Sequence, residues 1–149
     1  MHDIFSRHWL FDGLPEVVKA TIYRNGEDIE VAAGDTLMDE GDRNSEMYVL
    51  LDGRFKVSLP DRPNRISDMT LGYRGPGDLL GEYSLLDGLP ASATVTAEVP
   101  GEVFRISHES LRALLGANPE VSAVIYRNML DYLVAHLRAH DEELDRIVL

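Results

Sequence analysis

The sequence predicts a mainly β fold with flanking helices: a closed, jelly-roll-like β-roll followed by one long C-terminal helix. Three observations carry this expectation. Between Ile29 and Ile106, short apolar runs are broken by turn signals at close spacing, the pattern of a roll or sandwich. Helix signals sit on either side of that stretch. After Asn118-Pro119-Glu120, apolar residues recur in steps of three and four to the end of the chain, which marks a helix rather than a strand.

One domain is expected over residues 1–149, a length sufficient to bury a core. Residues 9–25 read as a short helix, with Pro15 at its first position and Asn25-Gly26 ending it. The β-roll is assigned to 29–106. Three turns in it read as hairpins. Val31-Ala32-Ala33-Gly34-Asp35 reverses the chain before Leu37. Asp52-Gly53 separates Met47–Leu51 from Arg54–Leu59, and Pro100-Gly101 separates Thr94–Val99 from Glu102–Ile106. Asp-Gly between alternating runs is a strong hairpin signal because its turn needs positive φ. A short helix over 107–116, capped by Ser107, carries Leu111, Leu114 and Leu115.

The last helix is assigned to 119–148, with Asn118 as its cap and Pro119 at its first position. At 1.5 Å per residue it would reach about 45 Å, more than a small roll can cover. Ala123, Tyr126, Leu130, Leu133, Leu137, His140, Leu144 and Ile147 form a heptad seam with one polar break, at His140. Its first two turns are expected on the chain's own domain. Beyond Leu133 the narrow stripe predicts a partner helix, and the expected assembly is a homodimer through Leu130, Leu133, Leu137, His140 and Leu144.

Composition removes several classes of function. Hydrophobic residues at 44% and charged residues at 27% are an ordinary globular balance, so disorder is not expected. With no cysteine there is no disulfide, thiolate metal site or cysteine nucleophile. The N-terminus lacks a signal-peptide pattern, and the apolar runs are too short to span a bilayer, which makes the cytoplasm the default compartment and a membrane partner unexpected. Fourteen basic against 26 acidic residues leave a net charge of −12. That field repels nucleic acid, so no nucleic-acid partner is expected, and it opposes an anionic ligand unless a local cation compensates.

The stretch from Gly75 to Val95 carries the functional argument. It reads as a strand, a turn, a helical turn opening at Gly81-Glu82, and a Gly88-Leu89-Pro90 loop feeding a strand. Gly81 permits close backbone approach, and the amides after it could face an anion. Other motifs are weaker. His136 and His140 share a helix face but lack a third ligand at metal spacing. Asp39–Glu46 lacks the glycine and ligand order of a calcium loop. No nucleophile elbow, phosphate-cradling Gly-Lys motif or zinc-protease motif is present, and an enzyme is not expected. Trp9 reads as an anchor for the N-terminal helix.

The chain resembles the cyclic-nucleotide-binding domain family, which includes the catabolite activator protein and the regulatory subunits of cyclic-AMP-dependent kinase. The resemblance runs through Leu10–Leu14, Ala33–Leu37, Glu40-Gly41-Asp42, Tyr48–Arg54, Gly75–Asp78, Gly81-Glu82 with Ala93-Thr94-Val95, and Asn118-Pro119-Glu120. It implies that Gly81 and Glu82 hold the ribose side of a cyclic nucleotide, cyclic AMP or cyclic GMP. It implies ligand contacts from Leu80, Tyr83, Ala91, Ser92 and Ala93, and places His136 of the long helix over the base. The family's phosphate-binding arginine falls at Ala91. No shorter residue reproduces a bidentate guanidinium, and losing one partner of a buried charge pair costs about 2–5 kcal/mol. Affinity for cyclic AMP is therefore expected to be roughly 30-fold to several-thousand-fold weaker than with the arginine. Glu82, without that partner, is itself a repulsive charge. Arg127, His136 and Arg138 lie on the long helix, and none occupies the lost position.

Two readings follow. Either the module senses a cyclic nucleotide or related small anion at Gly81–Thr94 and passes the signal through the long helix, or it is a ligand-free dimerisation or docking module for another regulatory protein. Transcriptional members of the family carry a helix-turn-helix domain after the long helix. None is expected here, because the sequence stops at Leu149.

Overall fold

Met47-Tyr48-Val49-Leu50-Leu51 is apolar at every position, so a strand of period two must bury both of its faces there. Strand β3 does so. Met47, Val49 and Leu51 enter a core shared with the helices, while Tyr48 and Leu50 enter the interior of the roll. The computed structural model describes residues 1–65 and 67–148, with side chains through Arg146. The strands are β1 (Glu27–Val31), β2 (Thr36–Met38), β3 (Glu46–Asp52), β4 (Phe55–Leu59), β5 (Met69–Arg74), β6 (Leu79–Leu80), β7 (Thr94–Ala97) and β8 (Gly101–Ser107). They form two four-stranded antiparallel sheets, ordered β1-β8-β3-β6 and β2-β7-β4-β5. The predicted mainly-β roll with flanking helices and a long C-terminal helix is the fold observed.

The three expected hairpins are corrected. Each of those turns carries the chain out of one sheet and into the other, from β1 to β2, β3 to β4 and β7 to β8. The turn chemistry is as read: Gly53 has φ +103°, and a Cβ there would lie 3.0 Å from Gly101 Cα. Such a turn specifies a reversal but not the strand that pairs afterwards. Among the described residues, β4 and β5 are the one pair of consecutive strands that hydrogen-bond to each other.

The N-terminal segment is also revised. The stretch 9–25 is a 3₁₀ turn (Trp9–Phe11) and helix α2 (Glu16–Arg24), separated by Gly13 at φ +89°, and preceded by a short helix α1 (Asp3–Ser6). Pro15 is extended and stands just before α2 as its cap rather than inside it. Helix α3 (Glu82–Asp87) interrupts the strands, and α4 (His108–Ala117) follows them, with Ser107 Oγ accepting the Ser110 N–H at 3.0 Å. Helix α5 (Pro119–Val148) has the expected bounds. The Asn118 side chain does not cap it. That amide turns back and donates to Leu114 O at 2.8 Å, closing α4, while the Asn118 carbonyl accepts the Ser122 N–H.

Two features fix α5 on the roll. Ile125 and Met129 are fully buried against the helical core, and Asn128 Nδ2 donates to the carbonyls of Leu10 and Asp12 at 3.0 and 2.9 Å. Of the seam residues, Leu133 is half-buried on its own core, whereas Leu130 and Leu137 are 60% and 63% exposed. Tyr126 and Leu144 are exposed as well, joined by Val134, and His140 is exposed among them. The side chain of Ile147 lies outside the described residues.

Candidate binding site

Gly81 is the pivot of the cassette. It joins β6 to α3 in the left-handed region at φ +83°, and a Cβ there would lie 2.2 Å from the Glu46 carbonyl oxygen. No side chain fits, so the close approach inferred from sequence is an approach to β3 itself. His108, at the start of α4, holds the same point from below, its Nε2 lying 3.0 Å from Gly81 O. Before it, the Gly75–Asp78 turn closes through Asp78 Oδ2 accepting the Gly75 N–H at 2.8 Å. His8 Nδ1 accepts the Leu10 N–H, which leaves its Nε2–H to donate to Gly77 O at 2.8 Å. Burial pushes the pKa of both His8 and His108 down, which favours these neutral, hydrogen-bonded rings.

The loop after α3 is tied to the 39–42 turn. Gly41 N–H donates to Ala91 O at 2.8 Å, Ala91 N–H donates to Asp42 O at 2.9 Å, and Thr94 Oγ1 accepts the Glu40 N–H at 3.0 Å. These bonds bring Ser92 and Ala93 alongside Gly81 and Glu82.

Together these elements line a cavity of about 90 Å³. Of the residues expected from sequence, Leu80, Gly81, Glu82, Tyr83, Ser92, Ala93 and His136 line it. Ala91 does not. Its buried side chain faces a neighbouring recess of about 180 Å³ beside Asp39, Asp42 and Asn44. Arg127 and Arg138 are absent from the lining. Residues that sequence reasoning missed complete it: Met38, Val57 and Val95 supply apolar wall, and Arg74 and Tyr132 supply a cation and an aromatic face. Tyr132 stacks on Trp9 with ring centroids 4.3 Å apart and planes at 11°, and the His136 ring centroid lies 4.1 Å from that of Tyr132. Trp9 is thus an anchor, as expected, and it anchors α5 at the rim of the cavity.

Glu82 is the buried acid of the site. Burial raises its pKa from 4.5 to about 7, opposed by its own backbone amide and by the Arg74 charge. Near neutral pH the carboxyl is therefore about half protonated, which softens the repulsion that an ionised Glu82 would present to an anion. Burial likewise pushes the Tyr132 phenol to about 12, assisted by the Glu82 and Asp78 charges, so it stays a neutral hydroxyl that can donate.

Comparison with known proteins bears on the fold and the family. A structure titled as the N-terminal domain of a transcriptional regulator from Streptomyces coelicolor superposes with a TM-score of 0.76 at 30% identity, covering 93% of this chain and 95% of that one. A cyclic nucleotide-binding domain from Methylobacillus flagellatus superposes at 0.80 with 26% identity, covering 97% of this chain and 79% of that one. The CRP-like cAMP-activated global transcriptional regulator of Mycobacterium tuberculosis is 24% identical over 127 residues, 85% of this chain and 56% of that protein. The chain thus spans little more than half of that relative's length. No described helix is long and apolar enough to cross a membrane. The model of the cyclic nucleotide-binding domain matches residues 28–118, more than half of the chain and all of the roll but the first residue of β1, and the chain belongs to that family.

Proposed function

We propose that the protein is a non-enzymatic, cytoplasmic ligand-sensing module that binds a cyclic nucleotide or related small anion at Gly81–Thr94 and passes the event through α5. One observation carries this reading. The cavity is walled on one side by the cassette, at Gly81, Glu82 and Ser92, and on the other by Tyr132 and His136 of α5. Anything that fills it touches both. At about 90 Å³ it is smaller than the roughly 300–1,000 Å³ of typical small-molecule sites, so a nucleotide-sized ligand displaces a wall. Past the Ile125–Met129 turn that is fixed on the roll, the α5 wall at Tyr132 and His136 rests on side-chain stacking, whereas the cassette is tied by backbone hydrogen bonds, so the part of α5 after Met129 is the part that yields. The name of the Mycobacterium tuberculosis relative supports cyclic AMP as the first ligand to test. The exposed stripe at Leu130, Leu137 and Leu144 supports a homodimer through α5, with Leu133 at its edge and His140 as its polar position.

Calorimetric titration with cyclic AMP, cyclic GMP and linear nucleotides tests the reading. A saturable heat with a cyclic nucleotide supports it, and silence across the panel at millimolar concentration overturns it. The second reading, a ligand-free docking or dimerisation module serving another regulatory protein, draws on the small cavity and the same exposed stripe. Silence in the titration together with a stable dimer favours it.

A further inference from the structure

Strand β5 is built the wrong way round for its sequence. Met69-Thr70-Leu71-Gly72-Tyr73-Arg74 alternates apolar and polar, and a half-buried strand with that pattern turns Met69, Leu71 and Tyr73 inward. Here those three are 56%, 53% and 45% exposed. The pairing with β4 fixes this inversion at the Gly72–Arg74 end, beyond a register shift that leaves Leu71 unpaired. Arg74 is opposite Phe55, which is fully buried inside the roll, and Gly72 is opposite Val57, also buried there. Opposed residues of an antiparallel pair share a face, so Arg74 points into the roll. Tyr73, opposite Lys56, points out, with the Arg54 guanidinium 4.0 Å over its ring.

We propose that Arg74 holds the charged group of the ligand, so that the anion lies against β5 rather than against the cassette position occupied by Ala91. This rests on the cavity being a ligand site, as argued above. Arg74 lines the cavity, and its charge acts on Glu82, Tyr83 and Tyr132 around it. Its one described hydrogen bond is from Nη1 to Tyr73 O at 2.9 Å, which leaves most of its five donors free. Among the described residues it has no carboxylate partner, although 26 acidic side chains are available in the chain. A half-buried cation without a counter-ion is expensive unless something supplies one. A phosphodiester or carboxylate does so with bidentate geometry. The rest of the lining suits the body of such a ligand: Leu80, Ala93 and Val95 offer apolar surface, and Tyr132 and His136 an aromatic one. The class implied is a small organic anion with an apolar or planar body, seated with its charge at the β5 wall.

The test is calorimetry with cyclic AMP and with adenosine, its neutral counterpart, on wild type, Arg74→Gln and Arg74→Lys, with thermal unfolding as the check on folding. For Arg74→Gln, cyclic AMP affinity falls at least tenfold while adenosine affinity changes less than twofold. Arg74→Lys, which keeps the charge but not the fork, falls between. If wild type binds cyclic AMP and Arg74→Gln binds it equally well, or if adenosine loses as much, the assignment of Arg74 is overturned and the ligand reading stands. If wild type binds no cyclic AMP at millimolar concentration, the ligand reading fails and Arg74 falls with it. If Arg74→Gln does not fold, the same criteria apply to Arg74→Lys, where unchanged cyclic AMP affinity overturns the fork.

Discussion

Replacing Glu82 with glutamine removes one titration from the folded protein, and its consequence can be worked from the structure. In the folded state the carboxyl titrates at about 7, against 4.5 when unfolded. Folding therefore takes up a proton between these values. The contribution to stability is fully present below 4.5 and is lost as pH rises through about 7. The interval amounts to about 3.4 kcal/mol in the limit, at about 1.36 kcal/mol per pH unit. Between pH 5 and pH 8 the linkage relation leaves about 2.5 kcal/mol of it. Wild type thus loses about 2.5 kcal/mol over that range that Glu82→Gln does not. Two other effects vary with pH, and both cancel in the comparison. Buried His8 and His108, with lowered pKa values, withdraw stability as pH falls through 6.5, and do so in both proteins. Self-repulsion from the acidic surface grows with pH in both, apart from the single charge exchanged. Urea unfolding followed by the fluorescence of the lone tryptophan, Trp9, reads the difference. A gap between the two proteins that is the same at pH 5 and pH 8 would refute the buried, raised acid.

Ala91→Arg separates the two seats for the anion: a seat at the cassette predicts that the restored fork beside Ser92 raises cyclic AMP affinity about 30-fold or more by calorimetry, whereas a seat at Arg74 predicts a smaller gain, and a rise of about 30-fold would refute it. Gly81→Ala sets a Cβ 2.2 Å from Glu46 O at φ +83°, whereas Gly34→Ala, at φ +92°, meets nothing within 4 Å. Thermal unfolding should show a loss of about 1–3 kcal/mol for the latter from conformation alone and a larger loss for Gly81. Equal losses would refute the close approach to β3. Leu137→Glu, at a position 63% exposed, should convert a dimer to a monomer in sedimentation without lowering monomer stability. A wild type that is monomeric at tens of micromolar removes the seam. With a net charge of −12 the protein should not shift random DNA duplex at low salt, and a clear shift would reveal a local basic face strong enough to override that field.

What the sequence makes legible depends on whether a residue's role is local. The caps and turns are local: Ser107 caps α4, Pro119 opens α5, and Gly53 takes positive φ, all as read. The pairing partner of each strand is not local. Asp52-Gly53 looks the same whether the next strand returns along its neighbour or crosses to the facing sheet. The run Met47–Leu51 held the signal for the second case, because a strand apolar at every position needs cover on both faces. A layer of helices and a second sheet supply that cover.

The site divides along the same line. Gly81 is found from sequence because a close approach there has a steric reason, and Glu82 and Ser92 are found through the resemblance of the nearly contiguous cassette to the family. Arg74 was hidden because alternation in β5 argues for the opposite face, and the ladder with Phe55 and Val57 overrides it. That override turns Tyr73 out and draws a cation inward, two unfavourable choices that side-chain preference alone would not make. Tyr132 was hidden for a different reason. Its place in the helical stripe is ambiguous until Trp9, 123 positions earlier in the chain, stacks on it and turns it to the cavity rim. The cation and the aromatic wall are thus both contributed by residues whose direction is set by a distant partner. One of the two also acts on the acid of the site. Glu82 is raised by burial, and its own backbone amide and the Arg74 charge restrain that rise. A ligand whose anion neutralises Arg74 removes the charge that restrains this pKa and sets a like charge beside the carboxyl, so anion binding is coupled to proton uptake at Glu82, and affinity for an anion should strengthen as pH falls through about 7.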